Sequence, residues 1–599
     1  MPVSAVFNLN SPGGYLSWHF ISISISNFVL IFSMLIIFGL SLLIPFPRNN
    51  SDLKYEDSEA NGERGDINDS AADGVSAEDQ KLITYKMRKA IRSNLPLDKL
   101  IPDRQPAYVE SWIYVFGVAT LVSLSLVIAS GVLLALGGVD WWHTTSLGHF
   151  VNSLHLWSVE CFMAFMVIHL WGKFWMAAWR KKRALTWMTG VIAFMFSVIE
   201  AFTGYLSQQN FDSQWISTNG KDAFNAVGVG SFFNLMNFGQ MLTLHIVAIP
   251  LVLVLIVGIH VIAVRYRGVV VPLGSEIKEK KIKANNPKFK LNVPYKRYDI
   301  IKEGMIAGAI VLVLVVVLAV AFSSPDMPPL TIKTWANIAP NDFVATAASE
   351  LAGTSETANY GPPYNNGSRN VQSLLFSEQK LIGVREPINP AQSFVITPLK
   401  DLAPTNDMLA KAISTFVSAT PRCQNTWATN YLNNIGSLKF INSIPVLKSG
   451  NYGPVPVLME FEFQIAKNGL LDGELIANRE FYGNNFTKPL LFLEDGQYFS
   501  SIAQKQHLIG SQWGVMNESG SYPGQPWLWL YSLWYQLPGF RNSTNVDLIA
   551  VYITGVATAL LLFVPFIPGI RDIPRFIPIH KLVWKRWYKE HDASESSLE

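Results

Sequence analysis

Four histidines lie inside long apolar runs and fall into two pairs, His155 with His169 in one run and His245 with His260 in another. Ionisable side chains at membrane depth are rare, costly to bury and usually functional. On an α-helix the 14-residue separation of the first pair returns to within about 40° of the same face and advances about 21 Å; the 15 residues of the second advance about 22.5 Å. Each run therefore presents its pair along one face at two depths. Two such helices facing each other set His155 opposite His245 and His169 opposite His260. Each level then offers two imidazoles on opposite sides of a metal, the arrangement that holds a haem iron by two axial ligands. A core imidazole hydrogen-bonded to a neighbouring helix accounts for one such histidine, but not for two matched pairs.

The same spacing recurs in glycine. Gly117 and Gly131 precede the first histidine run, Gly190 and Gly204 follow it, and each pair is again 14 residues apart. Glycine has no Cβ and lets a flat ring approach the helix backbone. Small residues at helix contacts explain isolated glycines equally well; their register with the histidines favours a pair of stacked porphyrins.

Composition agrees with a membrane setting. Of 599 residues 49% are hydrophobic and 15% charged, a balance that implies a membrane part and a water-exposed part. The net charge of +3 and the clustering of Lys and Arg beside apolar runs suggest no nucleic acid. Cys161 and Cys423 are the only cysteines, which excludes a cysteine-ligated iron-sulfur cluster, a tetrahedral cysteine zinc site and a C-x-x-C-H haem attachment within the chain.

Runs long enough to span about 30 Å of hydrocarbon occur near 21–45, 109–136, 152–176, 187–206, 241–264, 303–322 and 546–568, seven in all. The first lacks a basic leader and a small-residue cleavage site, so it reads as a retained anchor. The basic segments Lys86–Lys89, Arg180–Arg183, Lys278–Arg297 and Lys581–Lys589 fall on one side if the spans alternate, and that side is expected to be cytoplasmic. The reading divides the chain into an N-terminal anchor (1–46), a cytoplasmic linker, acidic and disordered then basic (47–105), the four-helix core (106–268), a basic cytoplasmic loop (269–302), a span (303–322), an extracytoplasmic domain (323–545), a last span (546–569) and a cytoplasmic tail (570–599). The stretch 51–80 is too polar to pack a core. In 323–545 the runs Phe394–Ile396, Val455–Leu458 and Leu490–Phe492, set between turn residues, predict short strands. The expected fold class is an all-α transmembrane four-helix di-haem bundle with three additional spans and a large strand-rich (α+β or β) outer domain.

Gly117/Gly131, His155/His169, Gly190/Gly204-Tyr205 and His245 through Pro250 to His260 resemble the first four helices of cytochrome b from quinol:cytochrome c oxidoreductases. The resemblance covers roughly 106–275, and the 15-residue spacing followed by Arg265-Tyr-Arg-Gly268 is similar to the split type of subunit. It implies two haem b groups: a low-potential outer one on His155 and His245, and a high-potential inner one on His169 and His260. It further implies a quinol or quinone substrate in a multi-pass protein of a prokaryotic cell membrane, the chain being one subunit of an oxidoreductase complex. A Rieske iron-sulfur protein, a separate subunit supplying the remaining helices, a c-type cytochrome or copper acceptor, membrane lipid and a homodimeric partner are the implied associates. Arg265 and Arg267 are candidate contacts for an inner quinone or for haem propionates, although flanking cations also follow from topology alone.

The chain departs from that family in places. The Pro-Glu-Trp-Tyr motif of the outer quinol site is absent, Asn152 stands where many relatives carry a propionate-binding arginine, and Leu206-Ser-Gln-Gln209 replaces Pro-Trp-Gly. Neither cysteine is placed to attach a further haem at the inner quinone site, so a covalent third haem is expected to be absent. Glu160 and Glu200, within apolar spans, are candidates for proton relay or for structural hydrogen bonds. Trp513 and Trp527–Trp534 read as an interfacial belt. Two other functions fit parts of the pattern: a di-haem anchor for another quinone-linked oxidoreductase, and a non-catalytic anchored scaffold or receptor with a binding outer domain.

Overall fold

The computed structural model describes residues 6–46, 104–275, 295–476, 484–509, 518–524 and 529–593. The acidic stretch 51–80, the basic residues at 86–89, the lysines at 278–283, and Trp513 and Trp527 lie outside the described residues.

Among the described residues seven helices are long and apolar enough to cross a membrane, one for each run read from the sequence, and the chain is a multi-pass membrane protein. The first is α1 (Ile25–Leu43), capped by Ser24, whose hydroxyl accepts from Asn27 N–H. The core follows as α2 (Val115–Gly137), α3 (Ser146–Trp175) and α4 (Ala184–Ser207). A polar-capped helix α5 (Phe211–Ala226) then intervenes before the fourth core helix, whose N-terminal part widens into π-type hydrogen bonding over Leu244–Ala248 and continues as α6 (Ile249–Arg267). Pro250 lacks the N–H that an α-helix asks of it, and the ladder widens directly before it. Next comes α7 (Ile300–Phe322), capped by Asp299.

The core is built from two tightly packed helix pairs, α2 with α3 and α4 with α6. One apolar cluster joins all four, with Leu124 from α2, Phe162, Met163 and Met166 from α3, Ala193 from α4 and Leu253 from α6. Each of these falls, within its own helix, between that helix's two chemistry-bearing positions. The additional helix α7 lies on the back of the first pair through Val311, Val315 and Ala319 against Ala119, Trp157 and Cys161. Between α3 and α4 the backbone turns at Lys181 and Lys182, both with positive φ, and buried Arg183 donates to the carbonyls of Arg267, Gly268 and Val269, tying α4 to the end of α6.

The described residues of 323–545 are mainly helical, which corrects the expectation of a strand-rich domain. They contain α8 (Pro340–Ala352), α9 (Asp407–Ser418), α10 (Pro421–Asn433), α11 (Val455–Asn468), α12 (Thr487–Asp495) and α13 (Gln497–Lys505), before the last membrane helix α14 (Val546–Phe563). Among the described residues their one strand pair is the hairpin Lys439–Ile441 with Ile444–Val446. The three runs read as strands lie in helical segments: Phe394–Ile396 in a π-type stretch from Ala391 to Ile396, Val455–Leu458 at the start of α11, and Leu490–Phe492 within α12. In α11 the buried positions Val455, Leu458, Met459, Glu462, Phe463 and Ala466 repeat at helical spacing, a period that a four-residue apolar run is too short to reveal.

The core of that helical body is continuous with Tyr205, Leu206, Phe211, Trp215 and Ile216, so the segment after α4 packs into it.

Candidate metal centre in the helix bundle

The two histidine levels form as the spacing requires. His155 on α3 and His245 in the widened turn before α6 face each other with ring centroids 6.3 Å apart. His169 and His260 lie within electrostatic reach of one another and of Lys173 at the other level. Every glycine of the repeat meets the histidine of its own level. A Cβ added at Gly131 would come 3.2 Å from His155 Cε1, one at Gly117 3.1 Å from His169 Cε1, and one at Gly190 2.9 Å from His260 Cε1. A Cβ at Gly204 would run into the His245 ring.

The hydrogen bonds decide which nitrogen each ring presents. Ser130 Oγ donates to Leu126 O at 2.7 Å, so its lone pair accepts from His155 Nδ1–H, 2.9 Å away. Thr189 Oγ1 likewise donates to Thr186 O at 3.0 Å and accepts from His260 Nδ1–H at 3.2 Å. His245 Nδ1–H donates to Glu200, with the backbone carbonyl at 3.1 Å and the carboxylate Oε1 at 3.0 Å. Three of the four rings are thus fixed with the proton on Nδ1 and the Nε2 lone pair free, which is how a histidine is held when Nε2 binds a metal. Among the described residues His169 Nδ1 is buried without a hydrogen-bond partner.

These residues fit two haems. At each level the donors are two imidazoles, and an iron held between His155 and His245 by metal–nitrogen bonds of about 2 Å would set their ring centroids roughly 6 Å apart, close to the 6.3 Å observed. The glycines remove side-chain bulk from the ring faces, and the apolar cluster around Met163 and Leu253 fills the space between the levels.

Other candidate residues sit elsewhere. Arg267 Nη1 donates to Thr186 Oγ1 at 3.2 Å, Arg265 neighbours Tyr298, and neither contacts a histidine of the repeat. Asn152 turns from His155 and donates to Ser324 Oγ. Glu160 is buried, with neither carboxylate oxygen hydrogen-bonded among the described residues. At the His155 end of the bundle a cavity of about 700 Å³ is lined by His143, His149, Asp326, Ser323 and Tyr522 among others. His149 precedes His155 by six residues, about 120° around α3, so the cavity opens on a different face from the histidine levels. Burial opposes protonation of His143 there, but its hydrogen bond to Asp326 and that residue's charge outweigh it and move the pKa upward.

Ser130, Thr189, and Glu200 in its role of anchoring His245 were not singled out from the sequence. A usable signal was present: three of the four glycines follow a hydroxyl residue directly, as Ser130-Gly131, Thr189-Gly190 and Thr203-Gly204, and in the first two that hydroxyl anchors a histidine.

Residues 160–329 match a family model described as cytochrome b (N-terminal)/b6/petB. The chain is 28% identical over 137 residues to cytochrome b6 of Heliomicrobium gestii, covering 21% of this chain and 64% of that protein. It is 26% identical over 137 residues to the cytochrome bc complex cytochrome b subunit of Chlorobaculum thiosulfatiphilum, covering 21% and 32%, and 25% identical over 244 residues to cytochrome b of Dictyostelium citrinum, covering 37% and 59%. It thus spans less than two thirds of the length of each of these relatives. A solved chain titled "Hyperthermophilic respiratory Complex III" aligns over 65% of this chain and 99% of its own at 16% identity, with a TM-score of 0.33. Residues 160–329 are thus similar in sequence to the cytochrome b N-terminal/b6/petB type of domain.

Proposed function

We propose that the chain is the cytochrome b subunit of a quinol-oxidising membrane complex of the Rieske/cytochrome bc type and conducts electrons between two haem b sites. The observation that carries this reading is the pair of facing histidine levels, each matched by its own two glycines. His155 and His245 would hold the outer group, His169 and His260 the inner one, with Gly117, Gly131, Gly190 and Gly204 clearing the ring faces. Bound there, the haems supply one-electron transfer across the membrane. The residues between the levels exclude water, and the Nδ1 anchors hold the imidazoles in place.

In this reading the basic end of the bundle, with Arg180 and Arg183, faces the cytoplasm and the helical body 323–545 lies outside. Quinol is oxidised near the His155 level and quinone is bound near the His169 level, where Arg265 and Arg267 are available to anionic groups. With no cysteine cluster and no Pro-Glu-Trp-Tyr motif in the chain, a Rieske protein, a subunit carrying the remaining cytochrome b helices and a c-type or copper acceptor are the expected partners, in a homodimeric assembly.

The test is to add a quinol to the anaerobic purified complex and follow the b-haem α-band. Reduction within the enzymatic time range, together with an iron-sulfur protein co-purifying in stoichiometric amount, supports the proposal. Haems that quinol does not reduce, or a different oxidoreductase in place of the iron-sulfur protein, contradict it.

A further inference from the structure

The Nδ1 partners of the four histidines are graded. At the His155/His245 level one ring is anchored by a hydroxyl and the other by the Glu200 carboxylate and carbonyl. At the other level one ring is anchored by the Thr189 hydroxyl, and His169 Nδ1 has no partner among the described residues. The charged neighbours differ in the same sense. Lys173, its ammonium 4.7 Å from the centre of the Tyr114 ring, lies within electrostatic reach of His169 and His260.

The geometry points to Glu200 as the residue that sets the outer haem below the inner one in reduction potential, by accepting the hydrogen bond from His245 Nδ1–H. This rests on the di-haem reading above. A carboxylate drawing on the Nδ1–H leaves the ring more electron-rich and makes Nε2 a stronger donor, which favours ferric over ferrous iron. Ligand basicity and hydrogen bonding around the ligands are levers by which a protein tunes a haem without changing its axial residues. Serine and threonine hydroxyls act in the same direction, but His245 Nδ1 has two acceptors, the Glu200 Oε1 at 3.0 Å and the Glu200 carbonyl at 3.1 Å. A neighbouring cation at the inner level has the opposite effect, favouring the reduced form by Coulomb attraction. Electrons entering at the outer level then move toward the inner one. Glu200 is a positioning residue here: it acts on the iron through His245 and touches no substrate.

The experiment is an optical redox titration of the full purified complex for wild type, Glu200→Gln, Glu200→Ala and Glu200→Asp, with EPR of the oxidised low-spin haems. The lower-potential component is assigned to the outer level by its loss in His155→Ala. The account expects that component to shift upward in Glu200→Gln and further in Glu200→Ala, with altered g anisotropy, while the inner component stays in place and Glu200→Asp returns toward wild type. Thr189→Val serves as the converse control and moves the inner component alone. If Glu200→Gln loses the outer haem, Glu200→Asp must restore both binding and the low midpoint; restored binding with a raised midpoint overturns the inference. So does an outer midpoint that ignores Glu200→Gln, or an equal shift of both components. Wild-type protein without haem removes the di-haem reading and the inference together, whereas two haems with an insensitive lower midpoint remove the inference alone.

Discussion

The imidazoles of His155 and His245 face each other across the bundle at 6.3 Å, although 90 residues and an intervening helix of the helical body separate them in sequence. Such a contact forms only if α3 and the helix that continues into α6 approach across the bundle at matched depth. Removing either ring should therefore empty one level. His245→Ala is expected to lower haem b from two per chain to one, read by pyridine haemochromogen on purified protein; unchanged content would mean that the ring plays no part in binding.

The glycines make a steric prediction. Gly204→Val places two methyl groups where the His245 ring now lies, and loss of the outer haem from a protein that still folds is the expected outcome. Gly258, on the same membrane helix as His260, has nothing within 4 Å of an added Cβ. Gly258→Ala should leave haem content intact and stability within about 0.5 kcal/mol. Equal effects of the two substitutions, in haem-to-protein ratio and melting temperature, would refute the packing argument.

At the His155 end of the bundle, His143 donates from both ring nitrogens, Nδ1 to Asp326 Oδ1 at 2.6 Å and Nε2 to Gln208 O at 2.8 Å, the pattern of a charged imidazolium. Burial works against that charge, but Asp326 prevails and the folded pKa is raised, with Asp140 adding to it. A raised pKa stabilises the folded state fully below the unfolded value of about 6.5 and progressively less as pH climbs through the folded value. Thermal stability should accordingly fall from pH 6 toward pH 9. Asp326→Asn should be less stable than wild type at pH 6 and flatter with pH; an identical pH profile for the two proteins would count against the ion pair.

The helical body within 323–545 depends on an aromatic cluster in which Phe492 packs against Trp335, Phe343 and Phe394. Trp335 is in turn oriented by its indole N–H, which donates to Asp342 Oδ2 at 2.8 Å. Phe492→Ala leaves a cavity at the centre of a fully buried site and should cost about 3–5 kcal/mol. Since the same hydrophobic core runs into Trp215 and Tyr205, the loss should also appear as easier proteolysis of 211–226, a coupling that limited digestion would detect.

The membrane core was legible because a spanning helix shows itself over about 20 apolar residues and because histidine and glycine at 14- and 15-residue spacings constrain depth and face together. The helical body was misread for the opposite reason. Val455–Leu458 and Leu490–Phe492 are short apolar runs whose helical period emerges only through the polar and charged residues buried beside them, such as Glu462. The joining of the segment after α4 to that body depends on contacts such as Trp215 Nε1 donating to Leu508 O, 293 residues away. Nothing local in the sequence marks so distant a pairing. Glu200 stood out as a buried carboxylate, but its role follows only from the rotation of α4 that turns it toward His245 rather than into lipid.

The central claim is that the two histidine levels hold haem. A dithionite-reduced minus oxidised spectrum of the purified chain, with a pyridine haemochromogen count, tests it directly. The account predicts about two b-type haems per chain from the four histidine ligands. A colourless protein with its helices intact would contradict the account and reduce the histidine and glycine spacing to helix packing.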